Sequence, residues 1–410
     1  MRAGLKIRRY FNAQIEEISS DAAVRFYGAC LAFCQVLTFF KWRRQVSHLS
    51  NETEPFCWPF FEDCFKYRFF DRSEATEILW IYGAMSVVGV LWFLSRRRVA
   101  VAYWWLLAVN LFKTALYAQD YSLRMNQHYM LYWATIAYLF LPNKRQLLRY
   151  TLVAFYVGAS ILKYNKEWIT GGALHTNPLF VPDALIPASC VYVVILESFI
   201  VWGVLSGNRR IYWISLCQLF WFHVVSWPTV GFFYPMIMFA LLAIFPLTAL
   251  LPHANEPKSL LQSLFRGRQP RSTYAFLGLF ALLQLIPIAM PGDEKITGEG
   301  RLFSLHMFDA WVTCEGAITL KYADGRTEEL PIPMKRRAAI RIKCDPVINF
   351  SRAKRSCYEH RDDPNFLDLD LYYEARRSHQ PHMRPLVDIK DFCSQKLSYD
   401  LWRPNEWIRK

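Results

Sequence analysis

From about Ala22 to Met290 the chain is a succession of long apolar runs broken by short charged loops, and from Pro291 onward it is not. Runs of that kind have few places to go. About 20 apolar residues in a helix cover the ~30 Å hydrocarbon layer of a bilayer. Inside that layer every backbone N–H and C=O must be paired within the chain, which selects helices. The expected fold is an all-α polytopic membrane bundle followed by a small β-rich soluble domain. Composition agrees, with 53% hydrophobic and 17% aromatic residues among 410.

Hydropathy places about nine transmembrane helices, at 22–41, 77–95, 99–117, 125–141, 146–163, 184–205, 211–228, 231–251 and 273–290. Residues 1–21 are charged and amphipathic, with no apolar centre or small-residue cleavage site, so they are expected to stay as a cytoplasmic segment. The net charge of +14 is unevenly spread: residues 1–291 carry 27 Lys+Arg against 15 Asp+Glu, and residues 292–410 carry 21 against 19. The excess belongs to the membrane part, which fits topology better than nucleic-acid binding, since the latter would want a basic stripe on the soluble part. With nine spans, one set of loops holds 16 Lys+Arg against 4 acids, while the other is close to neutral. By the positive-inside rule the N-terminus is cytoplasmic and residues 291–410 extracytoplasmic, in a plasma or inner membrane or in the endoplasmic reticulum.

The tail supports the second half of the fold expectation. Two apolar runs flank "ADGR", a hairpin signal, and "FLDLDLYY" alternates with a period of two. The last 30 or so residues show no clear pattern. Cys57 and Cys64 fall in the first outer loop, and Cys314, Cys344, Cys357 and Cys393 in the tail, where an oxidising compartment would permit disulfides. Cys30, Cys34, Cys190 and Cys217 lie in spans, and no spacing resembles a metal site.

Ionisable residues at membrane depth are costly. At 1.5 Å per residue, His128 lies roughly 21 Å and Lys163 roughly 24 Å above the same boundary, on consecutive antiparallel spans. His223 lies roughly 18 Å up the seventh span, and Glu197 nearer the midplane. Together they read as a buried polar site, with Lys163 and His128 able to face one another. Each has a plainer reading. Lys163 can snorkel to the headgroups, His128 can cap its helix, His223 can bond a neighbouring backbone, and Glu197 can pair with Lys113 or Arg25 as structural glue. A lysine in a dry pocket nevertheless has a definite use, since a neutral amine there acts as a base.

Four blocks resemble the vitamin K-dependent gamma-carboxylase family, whose membrane part is called the HTTM domain. They are "NQHYMLY", "GASILKYNKEW" with the following "ITGGAL", "FHVVSWPTVGFFYPMIM" and "PGDEKITGEGRLFSLHMF", in family order. The resemblance implies an HTTM-like domain over 22–290. It implies that Lys163 deprotonates a reduced naphthoquinone and that His128 helps hold the oxygenated intermediate. Asn126, Gln127, Trp168, Glu197, His223, Phe303 and His306 would line the quinone or substrate site. Reaction with O2 would give a strong base for adding CO2 to a peptide glutamate, with no metal. Membrane lipid and a secreted peptide or protein substrate are the implied partners. Leu305 and His306 stand where the family pattern has Trp and Arg, so a bidentate carboxylate clamp is lost there. The alternative is a non-enzymatic HTTM protein acting in peptide maturation or in lipid or peptide binding. A transporter is disfavoured, because no internal repeat is visible.

Overall fold

The computed structural model describes residues 2–410 apart from 53–54, 69, 175, 254–256, 306–309 and 333–342. The membrane part comprises α1 (Arg2–Ser20), α2 (Ala22–Arg43), α3 (Arg72–Leu94), α4 (Val99–Tyr117), α5 (Asn126–Phe140), α6 (Lys144–Ile161), the single turn α7 (Lys166–Ile169), α8 (Ile186–Ser198), α9 (Arg209–Val225), α10 (Phe233–Leu242), α11 (Ile244–Leu250), α12 (Leu260–Phe265) and α13 (Arg271–Ala289). Helix occupies all nine expected positions. Among the described residues, however, six helical segments rather than nine are long and apolar enough to cross a bilayer: Ala22–Arg43, Arg72–Leu94, Arg96–Tyr117, Asp183–Leu205, Phe233–Leu250 and Arg271–Ala289.

The other three fall short for identifiable reasons. α5 has 15 residues and stops before Pro142, and α9 has 17 between Arg209 and a turn containing Pro228. α6 opens with Lys144 and Arg145 and carries Arg149 a turn later, yet nearly every residue along it is buried. Its charges are answered by the N-terminal segment: Arg145 Nη1 lies 3.0 Å from Asp21 Oδ1, and Glu17 Oε1 accepts the Lys144 N–H at 2.5 Å. Asp21 also caps α2 by accepting the N–H of Ala23.

The C-terminal module is a four-stranded antiparallel sheet in the order β2 (Thr327–Ile332), β1 (Val312–Tyr322), β3 (Phe366–Arg377), β4 (Arg384–Ile389). The expected hairpin joins β1 to β2, turning on Gly325 at φ +82°, and the alternating run becomes β3. α14 (Pro346–His360) packs on β3, and the unpatterned tail lies along the sheet through a bridge from Val387 to Ile408. Gly316 is obligatory, because a Cβ there would sit 2.3 Å from the Tyr372 carbonyl oxygen on β3. The module's core also takes in Phe56 and Trp58 from the α2–α3 loop and Tyr121 from the α4–α5 loop.

Disulfides join Cys57 to Cys64, Cys314 to Cys344 and Cys357 to Cys393, leaving four free cysteines. Alkylation of the denatured chain is therefore expected to label four cysteines before reduction and all ten after it, read by intact mass. More than four labelled without reduction would contradict this pairing.

Candidate functional site

α6 ends at Ile161, and Leu162 and Lys163 form the closing turn, with the Lys163 N–H on the Ser160 carbonyl at 2.8 Å. Asn165 then caps α7, its side-chain oxygen accepting the Trp168 N–H at 3.0 Å. This break aims Lys163 inward. Its Nζ lies 2.5 Å from Glu197 Oε2 of α8 and 5.2 Å from the centre of the Trp168 ring, and the residue is 1% exposed. Trp168 is held in turn by its indole N–H on the Cys190 carbonyl, at 3.0 Å. Glu197 thus pairs with Lys163, not with Lys113 or Arg25, and Lys163 is not a snorkelling anchor.

Lys163 and Trp168 form part of the wall of an apolar cavity of about 290 Å³, whose other faces include Tyr192, Trp221, Phe222 and Tyr234. His223 stands behind that wall. Its Nε2 is 2.6 Å from the hydroxyl of Tyr156, two turns before Lys163 on α6, and its ring packs 5.9 Å from that of Tyr234. Three of the expected residues, Lys163, Glu197 and Trp168, therefore meet directly, and His223 adjoins them through Tyr156 and Tyr234.

His128 is placed elsewhere. It is fully buried against Trp42 of α2 and Tyr117 of α4, with ring centres 5.3 and 6.0 Å away. No hydrogen bond or ring contact joins it to Lys163 among the described residues, and neither of its nitrogens has a hydrogen-bond partner there. The charges that bear on it are those of Lys113 and Lys41. Lys113 is itself buried without a hydrogen-bond partner among the described residues, its Nζ 4.3 Å from the centre of the Tyr132 ring. Similar depth on neighbouring helices does not settle which way a side chain points; rotation about the axis does.

The remaining candidates scatter. Asn126 opens α5, and Gln127 donates to the sulfur of Met125 at 3.1 Å. Phe303 stacks on Trp402 at 4.3 Å, and its carbonyl accepts the Tyr129 hydroxyl at 2.6 Å. His306 lies outside the described residues. Leu305 is buried, with its N–H on the side chain of Gln284 at 2.8 Å.

A second cluster, which no local sequence pattern marks, begins four residues after Lys163. Glu167 is buried and accepts the Trp311 N–H at 2.9 Å, the Ser378 N–H at 3.1 Å, Arg377 Nε at 2.8 Å and the Ser378 hydroxyl. Arg377 also reaches Asp293 at 3.3 Å and Asn165 at 3.2 Å. Burial pushes the Glu167 carboxyl up, but the donors from Ser378, Trp311 and Arg377 outweigh it and hold the group below its ordinary value. The only hint in sequence is a glutamate beside a tryptophan, because its arginine comes some 210 positions later.

Comparison of the chain with protein-family models, with curated proteins and with solved structures finds no match. The six apolar helices mark it as an integral membrane protein with a small antiparallel sheet module near its C-terminus.

Because Glu167 is held below its ordinary value of 4.5, its contribution to stability is present above that pH and disappears as pH falls through the folded value. The melting temperature of the sheet module, followed by circular dichroism, is expected to drop on acidification in the wild type. In Glu167→Gln it should start lower, by the equivalent of about 1–3 kcal/mol, and vary less with pH. Identical acid profiles for the two proteins would remove Glu167 as the clamp.

Proposed function

We propose that the chain is a membrane enzyme of the vitamin K-dependent gamma-carboxylase type, in which Lys163 takes a proton from a reduced naphthoquinone held in the adjoining cavity. The observation that carries this reading is the Lys163–Glu197 pair, buried at the wall of an apolar cavity. An amine at the wall of an apolar cavity is placed to act as a base on a bound quinol, and Glu197 Oε2, 2.5 Å away, holds it there. Trp168, Trp221 and Phe222 offer flat apolar faces, and about 290 Å³ suits a fused aromatic ring. A prenyl tail would leave past Phe180, which lines the cavity and is 78% exposed.

When bound, a reduced naphthoquinone would supply, with O2, the strong base that lets CO2 add to a peptide glutamate. The chain's own groups do the rest. Lys163 Nζ receives the quinol proton, the resulting ammonium is balanced by the quinolate left in the cavity, Glu197 holds the amine in position, and Trp168 shields both side chains from water. His306 stands where the family pattern has its arginine and brings no guanidinium there, so recognition of a glutamate must rest on other residues. The same proposal includes nine spans, a cytoplasmic N-terminus and an extracytoplasmic sheet module. Its support is the charge asymmetry of the loops, and the three disulfides, which all lie in the α2–α3 loop or the module it packs against.

One observation favours a second reading, a non-catalytic protein that binds a lipid or a secreted peptide: His128 is packed among Trp42 and Tyr117 and away from Lys163. Quinol consumption by the purified protein under O2 separates the two. Wild type is expected to turn over, with Lys163→Ala reduced by about 100-fold or more and Glu197→Gln less severely affected. Equal turnover in wild type and Lys163→Ala would end the proposal. Quinol binding without consumption in the wild type would select the second reading.

A further inference from the structure

A larger cavity, of about 630 Å³, lies between α6 and α13 and shares no lining residue with the one beside Lys163. The two helices run the same way along it. Tyr150 and Tyr274 are at one end, while further along a Cβ on Gly158 would come within 3.3 Å of Phe280 and Gln284. From Tyr274 to Leu285 the groove follows roughly 16 Å of helix. Its walls are apolar, with Val153, Val157, Leu277 and Ala281 among them. Gln284 closes the far end, where its amide is already committed to the Tyr129 hydroxyl and the Leu305 N–H.

Two features say what this groove meets. α13 is one of the six helices able to cross a bilayer, and Leu279, Leu282, Leu285 and Ile288 on it are exposed, so hydrocarbon lies alongside. The near end is formed by the loop after α12. Phe265 and Gly267 line the groove there, Phe265 is 73% exposed, and its ring lies 6.1 Å from that of Trp202, an aromatic pair suited to a membrane interface. Arg266 and Arg268 flank Gly267, and Arg271 opens α13. All three are exposed, and among the described residues none is paired with a carboxylate.

We propose that this groove binds an anionic phospholipid, with its phosphate-bearing head group on Arg266, Arg268 and Arg271 and one acyl chain lying between α6 and α13. An apolar slot alone would accept any lipid tail. The three exposed arginines at its mouth, unpaired with carboxylates among the described residues, are what select a negative head group, and their forked donors match phosphate oxygens. The inference is independent of the chemistry at Lys163.

The test uses the full chain in detergent, equilibrated with equal amounts of phosphatidylglycerol and phosphatidylcholine of matched acyl chains, with retained lipid quantified by mass spectrometry. Wild type is expected to retain the anionic lipid about tenfold over the zwitterionic one. Arg266→Gln/Arg268→Gln/Arg271→Gln should lose that preference while still retaining lipid. Gly278 lines the groove and a Cβ there meets nothing within 4 Å, so Gly278→Trp can place its indole in the groove and should reduce retention of both lipids. Equal retention of the two lipids by wild type overturns the proposal, as does an undiminished preference in the arginine variant. Unchanged retention in Gly278→Trp overturns the location, and it can be read even if the triple variant fails to fold.

Discussion

A charge withdrawn from water must be met by an opposite charge or by hydrogen bonds, and in this chain the partners come from elements far apart in sequence. Arg145 at the head of α6 reaches Asp21 before α2, and its other nitrogen reaches the carbonyls of Thr248 in α11 and Leu251 just after it. Arg68 in the α2–α3 loop meets Asp120 after α4 at 3.5 Å, and Lys163 meets Glu197. Apolar packing is non-directional and leaves helices free to slide or rotate. These contacts remove that freedom at both ends of the bundle.

α6 is the element on which most of this converges. It is buried along nearly its whole length, joined to α1 and α2 at its start and to α8 at its finish. The segment after it divides between two tasks: Lys163 turns into the membrane part beneath Trp168, while Glu167 turns out to the sheet module and is held by Arg377, Ser378 and Trp311. The candidate site and the domain junction are thus separated by one helical turn, α7, whose cap Asn165 is bonded to both Trp168 and Arg377.

The apolar runs, the Asp-Gly hairpin and the alternating strand were legible because each is a local pattern that the backbone geometry of helix or strand reads directly. The number of helices able to cross a bilayer was less so, since α6 carries charged residues that only a partnering N-terminal segment makes affordable. For the site, Lys163 stood out as a cation among apolar residues, but its nearest partner did not. Glu197 was as compatible with Lys113 or Arg25, and nothing in one-dimensional spacing ranks those choices. His128 shows the converse, with its depth predicted and its direction set by the aromatic pocket of Trp42 and Tyr117.

The sequence by itself determined that the chain is a helical membrane protein with a β-rich C-terminal module, and which few polar residues must be dealt with inside it. Hydrophobic length, turn chemistry and strand alternation depend on near neighbours, so they are written locally. Only the tertiary structure decided that Lys163 belongs with Glu197 and Trp168, that Glu167 belongs to the domain junction, and that Lys113 and His128 form a separate buried group. Those outcomes depend on helix rotation and on contacts between residues as far as 211 positions apart, and a single chain read in order carries neither.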